Sequence, residues 1–233
     1  MEIDPKSVII LTGFLGSGKT TLLNAILGSK KVTRFAIIEN EVGEIGIDGE
    51  LIIKNTDSFT ELSSGCICCS LNNDFTETLK KLIYRNDWDE LIIEATGVAN
   101  PGGILTPFKQ FPWVQKYFKS PVVISIVDAQ NIEEQLQLSD TAASQIAYGD
   151  NVYISKKDTI SNEQLISTQK LIKRLNPLAA YYAGDKNNVP VNDVLQKRKS
   201  LIPFIPAGNS FSIQEKEIHH AQFNTISRIR QSV

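Results

Sequence analysis

Ser7-Val-Ile-Ile-Leu-Thr12 runs into Gly13-Phe-Leu-Gly16-Ser17-Gly18-Lys19-Thr20 and then into Thr21-Leu-Leu-Asn-Ala-Ile-Leu27. The first piece is a short apolar run with the character of a buried strand, and the last carries its apolar residues at helical spacing. Strand, glycine-rich loop and helix are the context in which G-x-x-x-x-G-K-[ST] means a phosphate site. Glycines let backbone N–H groups turn inward around a β-phosphate, and the helix N-terminus adds its partial positive charge. Lys19 is expected to reach the β- and γ-phosphates, and the Thr20 hydroxyl to ligate Mg²⁺. Gly13, Gly16, Ser17, Gly18, Lys19, Thr20 and Thr21 form the expected nucleotide-contacting set. The bland alternative, a tight glycine turn before an ordinary helix, is disfavoured by the strand and helix patterns that flank the loop.

The rest of the chain alternates in the same way. Apolar runs at Val8–Leu11, Phe35–Ile38, Leu51–Ile53, Leu91–Ile93, Val122–Val127, Val152–Ile154 and Ala180–Tyr182 read as strands, several of them rich in Val and Ile as in a parallel sheet covered on both faces. Helical patterns fall at Thr21–Leu27, Phe75–Tyr84, Ile132–Leu138, Ala142–Ala147 and Asn162–Leu175. This order predicts an α/β fold with a doubly wound, mostly parallel sheet and ligands at the carboxyl ends of the strands, and with the phosphate loop after its first strand it reads as a P-loop NTPase. Pro101–Ser120 reads as short helical turns, and the pattern fades after Val191.

Composition narrows the function classes. The 233 residues are 42% hydrophobic and 21% charged, with a formal net charge of −2. That balance fits an ordinary globular protein and gives no basic footprint for nucleic acid or an anionic membrane. No apolar run reaches the length of a membrane span, and Met-Glu-Ile-Asp-Pro-Lys lacks the features of a signal peptide, so a cytoplasmic location is expected. All three cysteines fall within Cys66–Cys69, which excludes a spaced disulfide framework.

Three further stretches carry chemistry. Leu91-Ile-Ile-Glu94-Ala-Thr-Gly97 ends an apolar strand in an acid, which is expected beside the Mg²⁺ shell, and its glycine N–H is placed to meet a γ-phosphate. A solvated strand-end carboxylate is the plain alternative. Ser155-Lys156-Lys157-Asp158 is similar to the guanine motif Asn-Lys-x-Asp, with serine in the first place. Asp158 can accept from guanine N1–H and the 2-amino group, and the Lys156 stem can cover a base face. Against this stands the ordinary charged turn after a strand. Gly65-Cys66-Ile67-Cys68-Cys69 puts three thiols within four residues, and thiolates bind zinc and other soft or borderline ions, Zn–S being about 2.3 Å. A redox pair and a structural cysteine cluster remain open beside the metal reading, although adjacent cysteines bridge only with strain. Upstream, the acidic, glycine-punctuated Glu39-Asn40-Glu41-Val42-Gly43-Glu44 stands where a nucleotide-sensing loop would follow the second strand.

Taken in order, Gly13–Thr20, Glu39-Asn40-Glu41-x-Gly43-Glu44, Gly65-Cys66-x-Cys68-Cys69 and Glu94-x-Thr96-Gly97 resemble the CobW-type metal-chaperone GTPases, relatives of the nickel-insertion GTPases of urease and hydrogenase maturation. The resemblance covers roughly residues 6 to 200. It implies GTP/GDP and Mg²⁺ as cofactors, with Lys19, Thr20 and Glu94 serving catalysis and Gly97, Lys156 and Asp158 completing the nucleotide site. It also implies a transition metal, zinc first with cobalt or iron as alternatives, held by Cys66, Cys68 and Cys69 with Glu39, Glu41 or Glu44. The expected partners are a client metalloprotein or cofactor-synthesis enzyme and a second copy of the chain in a nucleotide- or metal-dependent way. Intrinsic turnover is expected to be slow, about 10⁻⁴–10⁻² s⁻¹, with Glu41 or Glu94 as alternatives for positioning the attacking water. Family members continue through a histidine-containing linker into a smaller domain. His219-His220-Ala-Gln-Phe resembles that linker, giving an expected GTPase domain over 1–200 and a linker or truncated C-terminal region over 201–233. Two other classes stay open: a metal-responsive GTP-binding interaction module, and an ATP-dependent small-molecule kinase carrying a structural zinc.

Overall fold

The computed structural model describes residues 3–39, 49–55, 58–64, 73–85 and 87–196. The first apolar run forms β1 (Ser7–Thr12), and the helix after the loop is α1 (Lys19–Ser29). There follow β2 (Phe35–Glu39), β3 (Gly49–Asn55), β4 (Ser58–Ser64), α2 (Asn73–Arg85) and β5 (Glu90–Glu94). The second half comprises α3 (Pro101–Gln110), α4 (Pro112–Tyr117), β6 (Val122–Asp128), α5 (Ile132–Leu138) and α6 (Asp140–Tyr148), then β7 (Asn151–Ser155), α7 (Asn162–Leu175), β8 (Ala180–Ala183) and α8 (Val191–Val194).

The strands form one sheet in the order β4-β3-β2-β5-β1-β6-β7-β8. The six strands from β2 to β8 are parallel, and β3 and β4 add an antiparallel hairpin at one edge. From β1 the chain passes over β5 to reach β2, and from β5 it crosses back over β1 to reach β6. The winding therefore reverses around β1, and in open α/β sheets such a reversal opens a crevice at the carboxyl ends of the strands. The phosphate loop leaves from that end.

Strand alternation divides the core. Val8 and Ile10 of β1 face α2, α3 and α4, where Trp88, Phe108 and Phe118 fill the space. Ile9 and Leu11 face α1, whose Leu22, Leu23 and Ile26 are fully buried. Burial at about 1.5–3 kcal/mol per side chain fixes α1 more firmly than helix propensity could. A third cluster joins β6 and β7 to α6 and α7 through Val127, Ile154, Ile146 and Ile172. Among the described residues no helix is long and apolar enough to cross a membrane.

Three details differ from the sequence expectation. Ser58–Ser64 carries Phe59 and Leu62 three apart, out of step with strand alternation, yet it pairs with β3 along its whole length. Pro101–Ser120 is more helical than short turns: α3 has ten residues, opening with Pro101 at its first position behind Asn100, whose side chain accepts from the Gly102 amide. Proline is suited to that first position because its missing N–H would have no partner there. After Val191 the chain still forms α8, which buries Val194 against the α1 face of the sheet.

Candidate functional site

The phosphate loop is shaped by backbone that only glycine tolerates well. Gly13 takes φ 150°, and a β-carbon on it would stand 2.3 Å from the Ile126 carbonyl oxygen of β6. Gly16 and Gly18 also adopt positive φ. Gly18 sits at the N-cap of α1, where no side chain caps the helix. The first-turn N–H groups are thus left to whatever lies in the loop, which suits a phosphate.

Lys19 is the first residue of α1 and is buried. Its Nζ donates to the carbonyl oxygens of Gly13 at 2.9 Å and Phe14 at 3.1 Å, folding the ammonium over the loop. Burial lowers its pKa, and the charge of Glu94 partly opposes that shift. A buried ammonium whose hydrogen bonds among the described residues go to carbonyls of its own loop is matched to an incoming anion. One residue on, the Thr20 hydroxyl donates to Glu94 Oε1 at 3.1 Å. The end of β5 and the start of α1 therefore bring a hydroxyl and a carboxylate together, the hard oxygen donors that suit Mg²⁺. Thr21, next in the helix, is exposed. Ser17 is buried, and its hydroxyl finds no hydrogen-bond partner among the described residues.

Gly97 is buried against the loop. A β-carbon there would meet the Leu15 amide nitrogen at 2.6 Å. Gln145 of α6, which no sequence signal singled out, donates from Nε2 to the carbonyls of Gly97 at 3.2 Å and Ala99 at 3.1 Å.

Across the sheet, Ser155, Lys156 and Asp158 lie at the carboxyl end of β7, beside β6. The Ser155 hydroxyl lies 2.6 Å from the Ser17 carbonyl oxygen and 3.1 Å from that of Val127, so serine in the first motif position ties β7 to the phosphate loop. Lys156 takes φ 55°, and its Nζ pairs with Asp128 at 2.6 Å. Asp158 follows in an exposed single turn of 3₁₀ helix, Lys157–Thr159. Asp128 was missed because the apolar run of β6 reads as finished at Val127. The available signal was its place at a strand end followed by a turn that its own side chain caps, accepting from the Gln130 amide at 3.0 Å.

Of the candidate metal ligands, Glu39 ends β2 in register with Glu94 at the end of β5. Cys66, Cys68, Cys69, Glu41 and Glu44 lie outside the described residues, as do His219 and His220.

Residues 7–183 match the family described as CobW/HypB/UreG, nucleotide-binding domain. The chain belongs to that family. It is 36% identical over 185 residues to the zinc chaperone YjiA of Escherichia coli, covering 77% of this chain and 58% of that protein. It is 35% identical over 192 residues to the zinc-regulated GTPase metalloprotein activator 1 of Schizosaccharomyces pombe, covering 76% of this chain and 45% of that one. The chain thus spans about half the length of these curated relatives. Among solved structures, the Zn(II)-bound YjiA GTPase from E. coli superposes with a TM-score of 0.63 at 28% identity, over 92% of this chain and 70% of that one. As a CobW/HypB/UreG domain the molecule is a P-loop nucleotide-binding fold, in agreement with the reading from Gly13–Thr20.

Proposed function

We propose that this chain is the GTP-hydrolysing domain of a zinc chaperone, in which the state of the nucleotide sets affinity for a metal ion destined for a client metalloprotein or cofactor-synthesis enzyme. The names of the relatives support zinc as the cargo and GTP as the nucleotide. The observation that carries the coupling is the register of Glu39 with Glu94. Residues in register on neighbouring parallel strands stand about 4.8 Å apart and project to the same face. A carboxylate from the proposed metal set therefore stands beside the carboxylate of the proposed magnesium set. Glu41, Glu44, Cys66, Cys68 and Cys69 follow β2 and the β3–β4 hairpin in the chain and would complete the cargo site.

The geometry above supports a division of roles in hydrolysis. The α1 amides and Lys19 bind and neutralise the phosphates, which is the largest lever a phosphoryl-transfer site has. Mg²⁺, when bound, supplies further charge neutralisation on the phosphate oxygens, and Thr20 and Glu94 are the residues that would hold it. Gly97 presents its backbone beside Leu15, where the γ-phosphate end of the loop is expected. Lys156 and Asp158 would receive the guanine. A cytoplasmic site of action, the 1–200 and 201–233 division and a nucleotide- or metal-dependent pairing of two copies belong to the same proposal.

By linkage, a nucleotide that changes metal affinity is itself bound differently by the metal-loaded protein. The test is Zn²⁺ affinity by competition with a chromophoric chelator, with GDP and with a non-hydrolysable GTP analogue, on the wild type and on Cys66→Ala, Cys68→Ala and Glu39→Gln. A difference between the two nucleotide states that disappears in the variants is expected. Equal Zn²⁺ affinity in both states would refute nucleotide gating and favour the interaction-module reading.

A further inference from the structure

We propose that Asp128 is a positioning residue for the nucleotide base: it holds Lys156 in the place where the lysine stem covers a guanine face. The inference rests on the reading of Lys156 and Asp158 as the base site. Asp128 ends β6 in register with Ser155 at the end of β7, which sets it one residue back from Lys156 on the adjacent strand. Its side chain is almost wholly buried, at 2% exposure. Burying a carboxylate is costly unless its oxygens are satisfied, and here they are. Oδ1 accepts from the Gln130 amide at 3.0 Å, and Oδ2 accepts from Asn131 Nδ2 at 2.8 Å and from Lys156 Nζ at 2.6 Å.

Lys156 is held at its other end as well. Its left-handed backbone, the only positive φ outside glycine among the described residues, is a conformation that a lysine adopts at a cost. The carbonyl is clamped by the Thr159 amide at 3.0 Å and the Thr159 hydroxyl at 2.8 Å. With backbone and ammonium both fixed, the methylene stem between them is held at the carboxyl ends of β6 and β7, and the side chain is 37% exposed. A free lysine side chain would have to be ordered when a base lands on it, whereas this one is ordered beforehand. The pairing also answers why so polar a group is buried at a strand end with no role in the phosphate loop.

The experiment measures binding of Mg²⁺–GDP, Mg²⁺–ADP and Mg²⁺–tripolyphosphate, the last a probe with phosphates and no base, to the purified full chain. Asp128→Asn keeps the shape and the acceptor for Gln130 but removes the charge that holds Lys156. It is expected to weaken GDP about tenfold and to leave tripolyphosphate within twofold. Adding Lys156→Ala to Asp128→Asn is expected to bring no further loss, because both changes remove the same contact. An equal loss for GDP and tripolyphosphate, an unchanged GDP affinity, or additive losses in the double variant would each overturn the proposal. Asp158→Ala tests the underlying reading separately. If it lowers the preference for GDP over ADP while Asp128→Asn changes nothing, only the role of Asp128 falls. If it leaves that preference intact, the base-site reading itself falls.

Discussion

Gly97 lies so close to Leu15 that a β-carbon would stand 2.6 Å from the Leu15 amide nitrogen and 2.8 Å from its Cα. Neither atom can move without moving the tip of the phosphate loop. The turn after β5 and the loop after β1 are therefore one packed unit, and a change in either is felt in the other. Gly97→Ala is expected to force them apart. Overpacking of this kind costs about 1–3 kcal/mol of stability. GTP hydrolysis is expected to fall at least tenfold, with GDP binding reduced less because the γ-phosphate end of the loop is the part displaced. Single-turnover hydrolysis and GDP titration on the same preparation check this; GDP loss as large as the loss in hydrolysis would mean the whole loop has collapsed.

The buried ammonium of Lys19 gives a pH dependence with a definite sign. Its pKa in the free protein lies below 10.5 because burial disfavours the charge, and Glu94 only partly compensates. Bound phosphate would favour the charged form and raise that pKa. Between the two values the complex holds more protons than the free protein, so affinity falls as pH rises through the window. Titration of Mg²⁺–tripolyphosphate at alkaline pH, in buffers of different ionisation heats, is expected to show net proton uptake on binding. Lys19→Met is expected to bind more weakly and to lose that proton uptake. Tripolyphosphate is the right probe because guanine N1 has its own alkaline titration.

Much of this architecture was legible because two kinds of residue report directly on it. Continuous runs rich in Val and Ile announce strands covered on both faces, and they located β1, β2, β5, β6 and β7, while the shorter apolar runs Leu51–Ile53 and Ala180–Tyr182 located β3 and β8. Thr20 and Glu94 are read from the sequence as neighbours in one corner, and Thr20 does meet Glu94 across 74 positions of sequence. What escaped has one physical cause in common: its signal lies in pairing rather than in local pattern. β4 is defined by its ladder to β3, not by its own alternation. Asp128 looks like any acid at the end of a strand until β7 places Lys156 beside it. Gln145 sits inside a helix with nothing in its neighbourhood to mark it.

An ion pair at the base of the sheet sets an acid limit on stability. Arg34, just before β2, donates from Nε at 3.0 Å and Nη2 at 2.7 Å to Asp89, just before β5, and also through its backbone amide at 2.9 Å. The guanidinium is the main reason that the Asp89 pKa drops to about 2. A depressed carboxylate pKa contributes stability above the unfolded-state value near 3.8, and that contribution is lost as pH falls toward 2. Both side chains are 44% exposed, so screening limits the gain to about 1 kcal/mol. Asp89→Asn is expected to be less stable than wild type by that amount at neutral pH in urea unfolding, and the difference is expected to shrink as pH falls from 4 to 2. A difference that persists undiminished at low pH would assign the effect to something other than the charge.

Gln145 is 1% exposed and joins α6 to the turn after β5 by donating to the carbonyls of Gly97 and Ala99. Its Oε1 is buried with no hydrogen-bond partner among the described residues, and the same is true of the Ser125 hydroxyl, with which Gln145 lines a small cavity behind Phe14 of the phosphate loop. Nε2 is thus committed to the turn, while Gln145 and Phe14 of the phosphate loop line the same cavity. Gln145→Leu keeps the bulk and removes the donor, leaving two carbonyls of the turn without it. Losing such a donor costs about 1–3 kcal/mol, and the loss falls on the segment that contacts Leu15. The expected result is a tenfold or greater drop in GTP hydrolysis, faster amide exchange through residues 97–99, and GDP affinity within about twofold of wild type. Gln145→Ala, which also opens a cavity, is expected to show the same kinetic change with a larger drop in melting temperature. If both variants lose stability while hydrolysis stays at the wild-type rate, Gln145 supports the fold of α6 and has no hold on hydrolysis through the turn after β5.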